Sequence, residues 1–217
     1  MEQFQDFLNS GLGSGLAIVI AAAIFLAMTG LFFKKAKFNL RAMVYAALAL
    51  SIAFVLSYFR LFPMPQGGSV TPLSMFFVSI IGIWFGPGVG LVSGVTYGFL
   101  RIVQGAWIIH PMQFLLDYPL AFGMLGLAGF FWKHKHGMYI GFVVAVVGRF
   151  IMSTLAGWIY WIGIDTPGSL WMSMSYNGPF MFAEMAISLA IIVLPPVRHA
   201  LNHVKRYITI SSAKQGG

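Results

Sequence analysis

Four ionisable side chains fall inside long apolar runs of this chain: Arg101, Asp117, Arg149 and Glu184. A charged group at bilayer depth costs about 2.5–3.5 kcal/mol on insertion scales, so it normally faces a partner or a polar cavity. Two acids and two bases can form two structural ion pairs, and that reading stands open for Arg101, Arg149 and Glu184. Asp117 is set apart by its neighbours. Trp107 and His110 precede it, Tyr118 follows it, and Pro119 removes a helical hydrogen bond beside it. An acid next to several aromatic faces suits a desolvated organic cation, which gains Coulomb attraction and cation–π contact together. Asp117 is therefore read as a ligand contact.

A second constellation lies further along. Ser153, Gly157 and Trp161 recur at i, i+4 and i+8, one helical stripe on which small or polar residues lead to an indole. A flat ring could lie against that indole in room left by the glycine. Asn177 offers a donor and an acceptor to a heteroaromatic edge, or else caps a helix that starts there. Trp158, Tyr160, Trp171 and Tyr176 fit an interfacial aromatic belt. Ala42, Ala46, Ala49 and Ala53 make a smooth helical face that could take a partner helix, while Gly86, Gly90, Gly94 and Gly98 suit packing inside the bundle. No Walker loop, HExxH, GxSxG or zinc-type histidine spacing occurs, and there is no Cys. One His110/Asp117 pair is too little for catalysis, so the chain is read as a non-enzyme without metal or cofactor.

These residues must be held by membrane helices. Of 217 residues 59% are apolar and 8% charged, with mean hydropathy +0.85; soluble domains carry about 25% charged residues. Seven runs approach the roughly 20 residues that cross a bilayer: Leu12 to Phe33, Ala42 to Phe59, Thr71 to Phe85, Val89 to Val103, Met112 to Trp132, Met138 to Ile162 and Asn177 to Leu194. The third and fourth, joined at Gly86-Pro87-Gly88, could instead be one helix kinked at Pro87. The first run is not a cleaved signal peptide, because its leader carries Glu2 and Asp6 and its bases, Lys34, Lys35 and Lys37, follow it. Positive residues mark the cytoplasmic side. That places the N-terminus outside, and inside it places Lys133-His-Lys135-His and a tail with Arg198, Lys205, Arg206 and Lys214. The net charge of +8 then reports orientation in the cell membrane, with the tail free to touch anionic lipid, and requires no nucleic acid.

With these residues in place, the chain resembles the thiamine-specific substrate-binding S component of energy-coupling-factor (ECF) vitamin transporters. Met64-Pro-Gln-Gly-Gly-Ser-Val70, His110-Pro-Met-Gln-Phe-Leu-Leu-Asp-Tyr-Pro-Leu-Ala121 and Ser175-Tyr-Asn-Gly178 carry the likeness, over roughly residues 40 to 196. The resemblance implies an all-α six-helix bundle, here with one extra N-terminal transmembrane helix (1–38 extra helix and basic turn, 39–197 binding domain, 198–217 basic tail). It implies capture of thiamine or a related small cationic heterocycle at Asp117, Tyr118, Trp107 and Trp161, with Asn177, Gly157, Ser153 and His110 around them. A lid formed by Gln66, Gly67, Gly68 and Ser69 would close over the site. A transmembrane coupling subunit, docked on the Ala42–Ala53 face, and two ABC-type ATPases would supply the energy. Two positions depart from the family pattern: Ser153 stands where the family has His, and Met172 where it has Tyr. They leave a thiamine precursor or another nitrogen heterocycle open as ligand. A solitary proton-coupled transporter using Asp117 or Glu184 is the reading from another class.

Overall fold

The computed structural model describes residues 39–163 and 166–213; the run from Leu12 to Phe33 and the expected 1–38 unit lie outside them. Within the described residues the chain forms six helices of a bundle, a short lid hairpin and a final amphipathic helix. Three of the helices are long and apolar enough to cross a membrane: α4 (Pro111–Phe131), α5 (Gly137–Gly163) and α6 (Ser169–Val193). Helices α1 (Leu40–Leu56), α2 (Ser74–Phe85) and α3 (Pro87–Leu100) are shorter.

Helix α1 starts where Asn39 caps it, the Asn39 Oδ1 accepting from Ala42 N at 2.8 Å. Its alanine face corrects the expectation of a docking surface. Ala42, Ala46, Ala49 and Ala53 are all buried in the core of the bundle, where α1 packs on α2 and α3. The Ala53 carbonyl also accepts a hydrogen bond from the buried Tyr97 hydroxyl at 3.1 Å. Small residues there bring neighbouring helices of the same chain close.

After α1 the chain turns through a hairpin, β1 (Phe62–Pro63) paired antiparallel with β2 (Ser69–Val70) around a 3-10 turn at Pro65–Gly67. The α2–α3 junction is a turn between separate helices rather than a kink. Gly86 adopts φ +88°, a conformation that favours glycine, and α3 then folds back so that Gly90 lies against Gly82. Gly94 and Gly98 continue that contact, pressing on the backbone of Tyr118, Phe122 and Gly123 in α4. The glycine run thus has the packing role expected of it from Gly90 onward, while Gly86 serves the turn.

Two helices are locally widened. Pro119 lacks the N–H that a regular turn needs, and α4 adopts a π-turn at Leu116–Leu120. Helix α5 does the same at Gly157–Gly163. The first π-turn carries Asp117 and Tyr118, the second Gly157 and Trp161. Helix α6 begins at Ser169, eight residues before the expected start, so Asn177 is a buried residue within the helix and not its cap. The expected basic tail is largely helix α7 (Pro195–Ala213). Its Leu201 packs on the core and the Lys205 Nζ donates to the Trp132 carbonyl at 2.7 Å, which lays the helix against the end of the bundle where α4 finishes.

Candidate binding cavity

A cavity of about 260 Å³ lies between α4, α5 and α6, under the lid hairpin. Ligand pockets usually run from about 300 to 1,000 Å³, so this one suits a single small molecule. Asp117, Tyr118, Ser153, Gly157, Trp161 and Asn177 all line it, as do Gly67, Gly68 and Ser69 of the lid.

The carboxylate of Asp117 is held by neutral donors. Its Oδ2 accepts from Gln113 Nε2 at 2.7 Å and from Trp161 Nε1 at 3.2 Å, and the Ser153 hydroxyl is a further polar neighbour. Gln113 is fully buried, one turn before Asp117 on α4, so it fixes the carboxylate from within the same helix. Among the described residues no cation forms an ion pair with Asp117. Among the described residues, neither of the ion pairs left open for these four charges is formed. Glu184 instead caps α2: Oε1 accepts from Ser74 Oγ at 2.8 Å and Met75 N at 2.9 Å, and Oε2 from Thr71 Oγ1 at 2.7 Å and Thr71 N at 3.2 Å. A carboxylate at a helix N-terminus satisfies orphan amides and meets the positive end of the dipole.

The aromatic residues divide into wall and buttress. Trp161 lines the cavity and packs edge-on against Trp107, ring centroids 5.6 Å apart. Trp107 itself is 54% exposed and does not line the cavity, which corrects its expected place at the ligand. Its backbone N–H donates to the Tyr118 hydroxyl at 3.0 Å, so the loop before α4 is fastened to the π-turn. His110 is also corrected. Its Nδ1 accepts from Met112 N at 3.1 Å, capping α4, and its ring stacks on Tyr160 at 4.8 Å, away from the cavity.

Gly157 has a second role beside lining the cavity. A Cβ there would run into the Ser173 side chain of α6, so the glycine sets how closely α5 and α6 approach. Asn177 sits at that approach, its Nδ2 donating to Ser173 O at 3.0 Å and to Ser153 O at 3.4 Å. With the amide hydrogens turned toward backbone, the Asn177 carbonyl oxygen is left to the cavity.

The hairpin is fastened over the cavity by Tyr176. The Tyr176 hydroxyl donates to the Pro65 carbonyl and accepts from Gly68 N at 3.2 Å. Gly67 has φ +93°, and Gly68 lies so near Tyr176 and Phe180 that a Cβ would collide with both. Tyr176, which the sequence places in the interfacial belt and in the Ser175-Tyr-Asn-Gly178 segment, stands next to Asn177 on the same helix. Met172 is 50% exposed and outside the cavity, one turn before Tyr176. Arg101, Arg149, Tyr97, Phe122 and Glu184 complete the lining of the cavity. Arg149 continues the Ser153–Gly157–Trp161 stripe by one more step of four residues, a signal present in the spacing but not followed to its end.

Fold and cavity define a class: a multi-pass membrane protein whose helices enclose a lidded pocket for one small molecule. Residues 43–203 match the family described as thiamine transporter protein (Thia_YuaJ), and the chain belongs to that family. It is 30% identical over 147 residues to the thiamine transporter ThiT of Bacillus subtilis (strain 168), spanning 60% of this chain and 76% of that protein. The ThiT of Lacticaseibacillus paracasei is 24% identical over 118 residues, 48% of this chain and 59% of that one. In fold, the chain resembles the solved structure of ThiT from Listeria monocytogenes, with a TM-score of 0.65 at 23% identity, covering 75% of this chain and 97% of the other.

Proposed function

We propose that this protein captures thiamine from outside the cell and serves as the substrate-binding subunit of an ATP-driven ECF-type transporter. One observation carries the reading: a half-buried carboxylate, held by neutral donors, faces a small cavity walled by Trp161 and Tyr118 beneath the hairpin. The thiazolium is a fixed cation on a flat ring, so it supplies the charge that Asp117 lacks and stacks on the indole. The Asn177 carbonyl accepts from the amino group of the second ring. Ser153 is shorter than the histidine of the family pattern and leaves space there, the feature that would admit a related heterocycle.

The lid gives capture and release. Tyr176 and the glycines at 67 and 68 hold the hairpin over the ligand, and opening it breaks two hydrogen bonds. Release to the cytoplasm is conformational work, and the sequence contains no nucleotide-binding loop of its own. A transmembrane coupling subunit and two ABC-type ATPases supply it in this reading. The C-terminus lies in the cytoplasm, with 39–197 as the binding unit and 198–217 as the basic end. Uptake of labelled thiamine in cells with and without coupling subunits tests the assembly. Transport that needs those subunits and survives a protonophore supports it. Transport by the chain alone, abolished by the protonophore, refutes it in favour of a proton-coupled carrier.

A further inference from the structure

We propose that the part of the cavity around Arg149 and Phe122 is an anion-binding subsite, so that the site as a whole takes a dipolar load: a cation at Asp117 and an anionic group at Arg149. Arg149 lies two turns below Gly157 on α5, roughly 12 Å along the helix axis at 1.5 Å per residue, and both residues line the cavity. Its guanidinium rests over the Phe122 ring, 4.1 Å from the centroid. The Arg149 Nε is buried and has no hydrogen-bond partner. Membrane-embedded guanidiniums are normally paired, and among the described residues this one forms no ion pair. The carboxylate that could have paired with it, Glu184, lines the same cavity but has both oxygens occupied by Thr71, Ser74 and Met75.

A second guanidinium faces the same spot. Arg101 also lines the cavity and lies 6.0 Å from the Phe122 centroid, with its Nη1 bonded to Gln104 Oε1. Two like charges flank one ring, no acid is hydrogen-bonded to either, and Asp117 and Glu184, which line the same cavity, act on Arg149 only at a distance. A planar guanidinium fork matches the oxygens of a phosphate or carboxylate, which would receive its unused donors. That chemistry has two sources: a small free anion entering with the cation, or an acidic group on the ligand itself, such as a phosphate ester. The second source rests on the thiamine reading above; the first does not.

The test uses the purified full chain in detergent, in a gluconate buffer. Thermal unfolding midpoints are measured with added inorganic phosphate or chloride for the wild type, Arg149→Gln and Arg149→Lys. Affinities for thiamine and its monophosphate are measured in parallel by tryptophan fluorescence. A free-anion site predicts that phosphate or chloride raises the midpoint of the wild type by several degrees, partly in Arg149→Lys and not in Arg149→Gln. A ligand-borne anion predicts instead that Arg149→Gln weakens the monophosphate at least 10-fold more than thiamine. Midpoint shifts that are equal in wild type and Arg149→Gln, or absent in both, together with an unchanged affinity ratio between the monophosphate and thiamine, overturn the subsite. If the wild type responds to phosphate through Arg149 yet binds neither thiamine nor its ester, the subsite stands and the thiamine reading falls.

Discussion

Replacing Asp117 by Asn removes one charge while keeping size and the capacity to accept from Gln113 and Trp161. The magnitude follows from Coulomb's law. Two unit charges about 4 Å apart interact by about 4 kcal/mol at an effective dielectric constant of about 20. Part of that is offset because the unliganded carboxylate is itself costly to desolvate, which leaves a net loss of about 2–4 kcal/mol, or about 30- to 1,000-fold in Kd at 1.4 kcal/mol per tenfold. The assay is titration of the purified variant with thiamine and with an uncharged analogue in which a neutral ring replaces the thiazolium. Tryptophan fluorescence reports on Trp161 directly. The cationic ligand should lose the full factor, and the neutral analogue should lose less than about threefold, since only its weak polar contact with residue 117 changes. Equal losses for both ligands would refute the reasoning and make Asp117 a structural acid that merely holds α4 and α5 together through Gln113 and Trp161. A melting midpoint within a few degrees of wild type excludes global misfolding as the cause.

Removing the lid hydroxyl in Tyr176→Phe breaks the bonds to Pro65 and Gly68. It should speed thiamine dissociation about 5- to 10-fold, the equivalent of about 1–1.5 kcal/mol, in a stopped-flow chase. Glu184→Ala strips four acceptor contacts from the start of α2. It should lower stability by about 3 kcal/mol or more through unsatisfied buried donors, read as a fall in melting midpoint. In Gly157→Val the side chain presses into Ser173, costing about 1–3 kcal/mol by overpacking and weakening ligand binding as α5 and α6 separate. His110→Ala removes a cap and the ring stack on Tyr160, about 1–2 kcal/mol of stability, and should leave thiamine affinity within about twofold, in contrast to Trp161→Ala.

How much of this was legible in the sequence depends on what each signal encodes. The bundle helices from residue 39 onward were readable as apolar runs because lipid demands them, and the glycine spacing of α3 showed a close contact without naming its neighbour. The acid–aromatic pair Asp117-Tyr118 and the stripe through Trp161 stood out because such residues are costly inside an apolar run. Orientation of side chains was not legible. The Ala42–Ala53 face could turn to a partner or to the core, and only the packing of α2 and α3 decides for the core. His110 and Trp107 precede Asp117 closely in sequence, yet the turn at Pro111 sends one to cap α4 and the other to brace Trp161 from outside. The start of α6 was missed because residues 169–176 carry Ser, Met and Trp in no apolar run, although Gly168, at φ +74°, marks the boundary. For Glu184 the sequence leaves an ion pair open, because its partners, the hydroxyls and amides of 71–75, are about 110 residues away in the chain.

The central claim is that the lidded cavity around Asp117 binds thiamine, and calorimetric titration of the purified chain with thiamine tests it most directly. The account predicts one site per chain with a Kd tighter than micromolar and strong quenching of tryptophan fluorescence as the ring meets Trp161. A Kd weaker than micromolar, or tight binding that leaves the tryptophans unquenched, would contradict it.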